Sequence, residues 1–300
     1  MRILFFGNHT VGVRALSALS ETESICAVVA HPPDSEDGVR YESVYEFAGQ
    51  HGWQVIRSHG KNPALQHFVR SARPDLIWIT DYRYLLPREL LDLSPHGAVN
   101  LHPSLLPKYR GRAPINWAII NGETRLGLTA HVVDEGMDTG DIIAQFAFDL
   151  APPRDVGDAL ELLYPLYGEI SRTVARHFRT GNVPRIRQDH SQATVFPRRK
   201  PEDGLIDWHM SVRSVWNLIR AVAHPYPGAF TTMHGQRLTV WKGAPSPHAS
   251  GRGVVAGAIV DIADGAVHVQ CGDGVLMLLR IQPAKGISIA PMRAGDVLGT

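Results

Sequence analysis

The sequence predicts an α/β fold: a mostly parallel sheet with helices on both faces, followed by a smaller β-rich domain. Two observations carry this. From residue 2 to residue 102, short apolar runs alternate with segments of helical spacing. After residue 204 the chain changes to short β-like runs separated by Gly- and Asp-rich turns. "RILFFG" (2–7) is an apolar run ending in glycine, and "VGVRALSALS" (11–20) has helical spacing at Val13, Leu16 and Leu19. "ICAVVAH" (25–31) reads as a second buried strand, and "YESVYEFAGQHG" (41–52) as a helix stopped at Gly52. Then come a short strand "WQVI" (53–56), a helix "PALQHFVRSA" (63–72), and the strands "DLIWIT" (75–80) and "GAVNLH" (97–102). In sheets of this kind, ligands bind beyond the carboxyl ends of the strands. Asn100 and His102 fall at one such end.

Residues 157–180 form a long amphipathic pattern stopped near Gly181. "QDHSQATVFPRRKPEDG" (188–204) is polar and carries Pro and charges of both signs, the composition of a linker. "SVRSVWNLIRAVA" (211–223) reads as a helix, and "HPYPGAF" after it as turns. "RLTVWKG", "GAIVDIA", "AVHVQCG" and "VLMLLRIQ" are short strands, consistent with a small barrel or sandwich. The expected division is a first domain 1–190, a linker 191–203 and a β-rich domain 204–300.

The 300 residues are 44% hydrophobic and 20% charged, a soluble globular profile, and a formal net charge of +1 gives no global call for nucleic acid or an acidic membrane. Two cysteines, Cys26 and Cys271, are too few for a disulfide framework. A reducing cytosol is the simplest setting, so a cytoplasmic location is expected. "MRILFFGNHT" is too short in apolar residues for a signal-peptide core, and no run approaches a membrane span.

Two polar clusters invite chemistry. The first is "VNLHPSLLPKYRGRAPINWAIINGE" (99–123), with Asn100, His102 and Ser104 around one turn and Lys108, Arg110 and Arg112 after it. The second is "VVDEGMDTGDIIAQ" (132–145), with Asp134, Glu135, Asp138 and Asp141 between glycines. Alone, the second reads as well as a solvated acidic loop; EF-hand spacing is absent. Beside Asn100 and His102 it supplies a carboxylate. An amide, an imidazole and a carboxylate without a nucleophile elbow suggest acyl transfer to an external nucleophile. The amide donates to an oxyanion, the imidazole moves a proton and the carboxylate sets the imidazole's state. Ser104 is the rival nucleophile, but "HPSLLP" is not the G-x-S-x-G turn that exposes a hydroxyl. "GNHTVG" (7–12) is neither a G-x-G-x-x-G nor a P-loop; Asn8 and His9 either face a ligand or simply make the turn. The 15 histidines contain no H-x-x-x-H pair, no metal is expected, and His131 on "LTAHVV" reads as a satisfied strand histidine.

"NLHPSLLPKYRGRAPINWAIINGE" followed by "DEGMDTGDIIAQ" resembles the signature of the folate-dependent formyltransferases, which take a formyl group from 10-formyltetrahydrofolate to an amine. The resemblance implies a Rossmann-like catalytic domain and a smaller β-rich, OB-like C-terminal domain. It implies a catalytic trio at Asn100, His102 and Asp138. On physical grounds Asn100 and protonated His102 are placed to donate to the oxyanion, and Asp138 either holds His102 protonated or takes the amine proton, directly or through water. It implies 10-formyltetrahydrofolate as co-substrate, and no metal. The loop 132–141, with Asp134, Gly136 and Asp141, would meet the pterin ring. "DYRYLLP" (81–87) resembles the opposite wall, leaving open whether Tyr82, Leu85 and Leu86 line it or are packing.

For the acceptor, "NH" at 8–9, "RRKPEDGLIDW" (198–208) and "NLIRAVAHPYPGAF" (217–230) resemble formyltransferases of nucleotide-linked amino sugars, nearest those acting on UDP-4-amino-4-deoxy-L-arabinose. Two departures stand out: "HPS" replaces His-Gly-Ser, and "DEGMDTGD" is nearer the loop of the branch that formylates methionyl-tRNA. That branch carries a basic insertion after its second strand. Here the place holds Asp34, Glu36 and Asp37. Residues 204–300 carry eight Lys/Arg against five Asp, scattered rather than clustered, which disfavours a nucleic-acid partner. The expected acceptor is therefore a sugar nucleotide met by His9, Ser104, Lys108, Arg110, Arg112 and Arg220. Lys108, Arg110 and Arg112 either take a diphosphate or form a solvated basic loop. Arg220 and Asn217 line the cleft or bridge the domains. A hydroxyornithine-type amine, methionyl-tRNA and a silent folate-binding protein are the alternatives, and a homodimer is compatible with all of them.

Overall fold

The computed structural model describes residues 1–32, 41–59, 63–248, 253–284 and 291–300. The acidic residues Asp34, Glu36 and Asp37, and the cations Arg252 and Lys285 counted above, lie outside the described residues.

In chain order the elements are β1 (Arg2–Gly7), α1 (His9–Ser20), β2 (Ser24–Ala30), α2 (Val44–Gln50), β3 (Val55–Arg57), α3 (Pro63–Ala72), β4 (Leu76–Thr80), α4 (Arg88–Leu91), β5 (Ala98–His102), β6 (Arg110–Gly111), α5 (Pro114–Ile120), β7 (Arg125–Val132), β8 (Ile142–Asp149), α6 (Val156–Thr180), β9 (Val195–Phe196), α7 (Val212–Ala221), β10 (Ala229–Met233), β11 (Gln236–Pro245), β12 (Ile259–Ala263), β13 (Ala266–Gln270) and β14 (Val275–Pro283). They fall into two compact units. The first comprises Met1–Pro114, Leu126–Phe148 and Leu160–Phe196, and the second Ile115–Arg125, Asp149–Ala159 and Pro197–Thr300. The polar segment expected as a linker carries a 3₁₀ turn at Pro201–Gly204 and the strand β9, which pairs in parallel with β6.

Among the described residues, the first unit holds a seven-stranded sheet in the order β3-β2-β1-β4-β5-β7-β8. β1 pairs in parallel with β2 and β4, β2 with β3, and β4 with β5; β7 joins antiparallel to β5. The sheet is mostly parallel, as expected. β4 is buried along its whole length and β1 along all but its first residue, which is why both read as unbroken apolar runs. On one face Leu4, Phe6, Ala27, Val29, Ile77 and Ile79 pack against Leu65 and Val69 of α3 and Leu90 of α4. Ile77 is fully buried on β4, between β1 and β5. Ile77→Ala should cost about 2–5 kcal/mol of stability, read as a lower denaturant midpoint at unchanged slope.

Strand order reverses between β1 and β4, so their carboxyl ends diverge into a crevice. Gly7–Asn8 and Thr80–Asp81 border it, and the Asn8 amide donates to the Thr80 carbonyl across it at 3.2 Å. β5 ends one strand further along, on Asn100, Leu101 and His102.

The second unit holds, among the described residues, a five-stranded sheet in the order β10-β11-β14-β13-β12, with every pair antiparallel. The β12–β13 hairpin turns on Asp264 (φ +53°) and Gly265 (φ +76°), a two-residue turn that needs left-handed backbone at both positions. "HPYPGAF", expected as turns alone, ends in β10: Ala229 and Phe230 begin the edge strand.

Candidate active site

Asn100 and His102 point from the end of β5, and cross-strand pairing sets His131 of β7 opposite Asn100. Asp138 comes from the loop between β7 and β8. Its backbone is left-handed (φ +54°), a conformation that costs a non-glycine residue energy and that Asp tolerates better than most. That conformation turns the carboxylate inward. Oδ2 accepts from the Gly111 amide at 2.9 Å and lies 3.6 Å from His102 Nδ1. Oδ1 lies 3.5 Å from His131 Nε2 and 3.4 Å from Asn100 Nδ2. Asn100, His102 and Asp138 thus converge in one place.

Gly111 supplies that amide under a double constraint. Its φ is +93°, and a Cβ there would run into the Phe196 carbonyl oxygen. β6–β9 pairing brings that carbonyl close.

Protonation follows from the contacts. His102 is 5% exposed, and its Nε2 stands 2.8 Å from the Tyr109 carbonyl oxygen. A carbonyl accepts only, so Nε2 carries the hydrogen, and in the neutral ring Nδ1 is a bare acceptor facing Asp138. Burial pushes the His102 imidazole below its ordinary value, and the attraction of Asp138 and of the Tyr109 carbonyl offsets only part of this. Burial thus favours the neutral imidazole, and the Asp138 carboxylate 3.6 Å away favours its cation. For Asp138, burial pushes the carboxyl up, but the histidines 102 and 131 and the Gly111 N–H outweigh it. Together they hold it well below the usual carboxylate range.

These residues open on a cavity of about 590 Å³ in the first unit, within the usual size of a small-molecule site. Its lining combines apolar side chains, Ile79, Leu86, Leu91 and Val133, with Asn100, His102, His131 and Asp138. Tyr82 and Leu85 also line it. Tyr82 is 9% exposed and donates to the Ser58 carbonyl, whereas Leu85 is 75% exposed. Asp134 and Gly136 sit at the rim, where Asp134 Oδ1 accepts from Thr139 Oγ1 (2.6 Å) and the Gly136 amide (3.1 Å). Asp141 lies away from this cavity, on another pocket behind the loop with Arg185 and Arg187, and its carbonyl accepts from the Val132 amide.

The residues expected at the acceptor separate. His9 has left-handed backbone (φ +58°), and its Nδ1 lies 2.6 Å from Asp81 Oδ2 across the crevice; Asp81 lines the cavity. Arg112 lines the cavity and donates to the Arg83 carbonyl, and Lys108 is exposed on the same segment. Ser104 and Arg110 are turned inward. Ser104 Oγ donates to the Lys108 carbonyl at 2.8 Å, which closes the turn. The Arg110 guanidinium, 5% exposed, donates to Gln188 Oε1 at 2.6 and 3.2 Å. Neither presents its polar atoms to a ligand. Arg220 lies on α7 of the second unit, buried, and donates to the Arg154 carbonyl and to Asn217 Oδ1.

Sequence reasoning missed His131, the Gly111 amide and Gln188. His131 was legible only as one apolar-strand histidine; its position opposite Asn100 depends on the register of an antiparallel pair.

Residues 1–161 match the family model described as formyl transferase, and residues 198–294 the model described as formyl transferase, C-terminal domain. Among solved structures the chain is similar to WlaRD, a sugar 3N-formyl transferase crystallised with dTDP and 5-N-formyl-THF (TM-score 0.68, 17% identity, covering 96% of this chain and 99% of that one). It is similar to the N-formyltransferase from Helicobacter canadensis in complex with folinic acid and dTDP-3-aminofucose (TM-score 0.65, 18% identity, covering 94% and 99%). It is also similar to HypX from Aquifex aeolicus in complex with tetrahydrofolic acid (TM-score 0.62, 20% identity), covering 95% of this chain but only 44% of that one, so the chain spans less than half the length of HypX. Among the described residues no helix is long and apolar enough to cross a membrane, and no group of three or more His, Cys, Asp or Glu is placed to hold a metal ion.

Proposed function

The chain belongs to the formyl transferase family, and on that premise we propose that it transfers a formyl group from 10-formyltetrahydrofolate to the amine of a small acceptor, a nucleotide-linked amino sugar. One observation carries the chemistry: Asn100, His102 and Asp138, on two separate segments, converge at the wall of one cavity. Its apolar lining with exposed loop backbone at 134–137 suits a flat, hydrogen-bonding ring such as a pterin. Tyr82, Leu86 and Val133 would hold the ring's faces and Asp134 and Gly136 its edge. The folate supplies the formyl carbon.

This chain's residues divide the remaining work. Amine attack puts negative charge on the formyl oxygen. Both Asn100 amide hydrogens have acceptors at rest, His131 Nε2 at 3.2 Å and Asp138 Oδ1 at 3.4 Å. The longer bond is weak, and its hydrogen is the one an oxyanion takes. The attacking amine must lose a proton and the departing nitrogen must gain one. Neutral His102 accepts the first at Nδ1 and returns it, so atoms and charge balance over the turnover. Between those events the imidazolium is flanked by Asp138 and the Tyr109 carbonyl.

Sugar nucleotides as acceptors are supported by the ligands of WlaRD and the Helicobacter enzyme, and by the exposed cations Lys108 and Arg112 beyond β5, suited to a diphosphate. The test is a panel of 10-formyltetrahydrofolate with UDP-, dTDP- and GDP-linked amino sugars, hydroxyornithine and methionyl-tRNA, followed by folate absorbance. Turnover is expected with an amino-sugar nucleotide, at a rate that rises with pH as amine and imidazole lose their protons. Turnover with methionyl-tRNA or hydroxyornithine alone overturns the sugar assignment. Folate binding without turnover on any amine assigns a silent binding protein.

A further inference from the structure

Asp138 is held in a strained conformation on a loop whose residues 134–137 are exposed, so something buried must hold it there. The Gly111 amide fixes only the carboxylate end. The backbone is fixed by Gln188. Its side-chain amide nitrogen donates to the Asp138 carbonyl at 2.9 Å and to the Gly140 carbonyl at 2.7 Å, gripping the loop on both sides of Thr139. Its amide oxygen accepts two N–H groups of Arg110, at 2.6 and 3.2 Å. Every donor and acceptor of this amide is in use, and Gln188 is 6% exposed. Gln188 is itself held, because Ile186 exchanges both backbone hydrogen bonds with Ile142 at the start of β8.

Arg110 is a buried cation whose side-chain partners among the described residues, Gln188 and His190 Nδ1 (3.2 Å), include no carboxylate. A cation on the oxygen of an amide polarises it and strengthens its N–H donors. Arg110 also precedes Gly111, whose amide holds the carboxylate, so one short strand secures both ends of the acid.

We propose that Gln188 and Arg110 are positioning residues, an amide clamp that sets the Asp138 carboxylate against His102 and whose loss releases it. Their catalytic relevance rests on the formyl-transfer reading; the clamp itself does not. Gln188→Glu is the sharp variant. It still accepts from Arg110, now as an ion pair, so the buried guanidinium keeps its acceptor. It puts a carboxylate oxygen where the loop carbonyls need a donor. The groups facing the His102 ring are Asp138, His131 and the Tyr109 carbonyl, and only Asp138 is on the clamped loop.

The experiment reads two quantities in the full chain: the His102 titration by imidazole NMR and kcat on the formyl acceptor. Gln188→Glu is expected to lower the His102 pKa, because the carboxylate that offsets its burial moves off. It is expected to lower kcat on the order of 10²-fold, the usual consequence of about 1 Å of misplacement. Arg110→Lys keeps the charge with fewer donors and should fall between wild type and Gln188→Glu in both. It also serves as the test if Gln188→Glu does not fold. An unchanged His102 titration in the variant that folds overturns the clamp, whatever happens to kcat. Absence of formyl transfer by the wild type to any amine overturns the functional reading alone, and the titration still decides the clamp.

Discussion

Replacing Asn100 with alanine is expected to lower kcat by about 10²–10³, or ~2.7–4 kcal/mol of transition-state stabilisation, while folate affinity changes little. The asymmetry is the content of the prediction. Asn100 lines the cavity with His102, His131 and Asp138, whereas the proposed ring site draws on the apolar lining and the 134–137 backbone. Its amide donates to a charge that exists only during transfer, so its loss falls on kcat. When the amide is gone the Asp138 carboxylate keeps the Gly111 amide on Oδ2 and His131 Nε2 3.5 Å from Oδ1, so the fold has little to lose. Steady-state kinetics with a fluorescence titration of folate measures both quantities. Parallel losses in kcat and folate affinity would make Asn100 a binding residue instead.

How far such a site is legible in sequence depends on the physics behind each residue. β1 and β4 announce themselves because a parallel strand buried on both faces must be apolar almost throughout, and α3 falls on the expected 63–72 because its apolar spacing is uninterrupted. Asp264–Gly265 marks its hairpin because few other pairs adopt two left-handed residues in succession. Asn100, His102 and Asp138 are legible because their polarity sits where apolar runs end. Polar residues of the scaffold escape the same reasoning. Arg110 and Gln188 look like solvated loop residues until burial shows them bonded to each other. β6 and β9 are two residues each, too short for any periodicity, and their pairing spans 85 residues from Arg110 to Val195. The clamp, the Gly111 amide and the His131 register all belong to tertiary pairing, which no local pattern encodes.

Asp138→Asn is the second large effect, and the choice of asparagine makes it clean. Asn occupies left-handed backbone as readily as Asp, and its Oδ1 still accepts from the Gly111 amide, so loop geometry survives while the charge goes. What remains is a buried His102 whose cation is stabilised by the Tyr109 carbonyl but no longer by a carboxylate at 3.6 Å. Proton transfer through Nδ1 then runs uphill, and kcat should fall about 10²–10⁴-fold. Two pH signatures separate this from general damage. In the wild type His102 titrates below its unfolded value of ~6.5, so over that interval the unfolded chain binds more protons and stability rises with pH. Removing Asp138 drives the imidazole lower still, so the interval extends further to acid. Asp138 titrates below its unfolded ~3.9, so its stabilising contribution is complete above that pH and fades as acid drives pH down through the folded value. In Asp138→Asn that acid-side loss disappears and the profile below pH ~4 flattens. Denaturation midpoints across the pH series, read beside kcat, connect the two. A variant that loses activity but keeps the wild-type acid profile would mean that the carboxylate is not the buried, charge-stabilised group its contacts with Gly111, His102 and His131 imply.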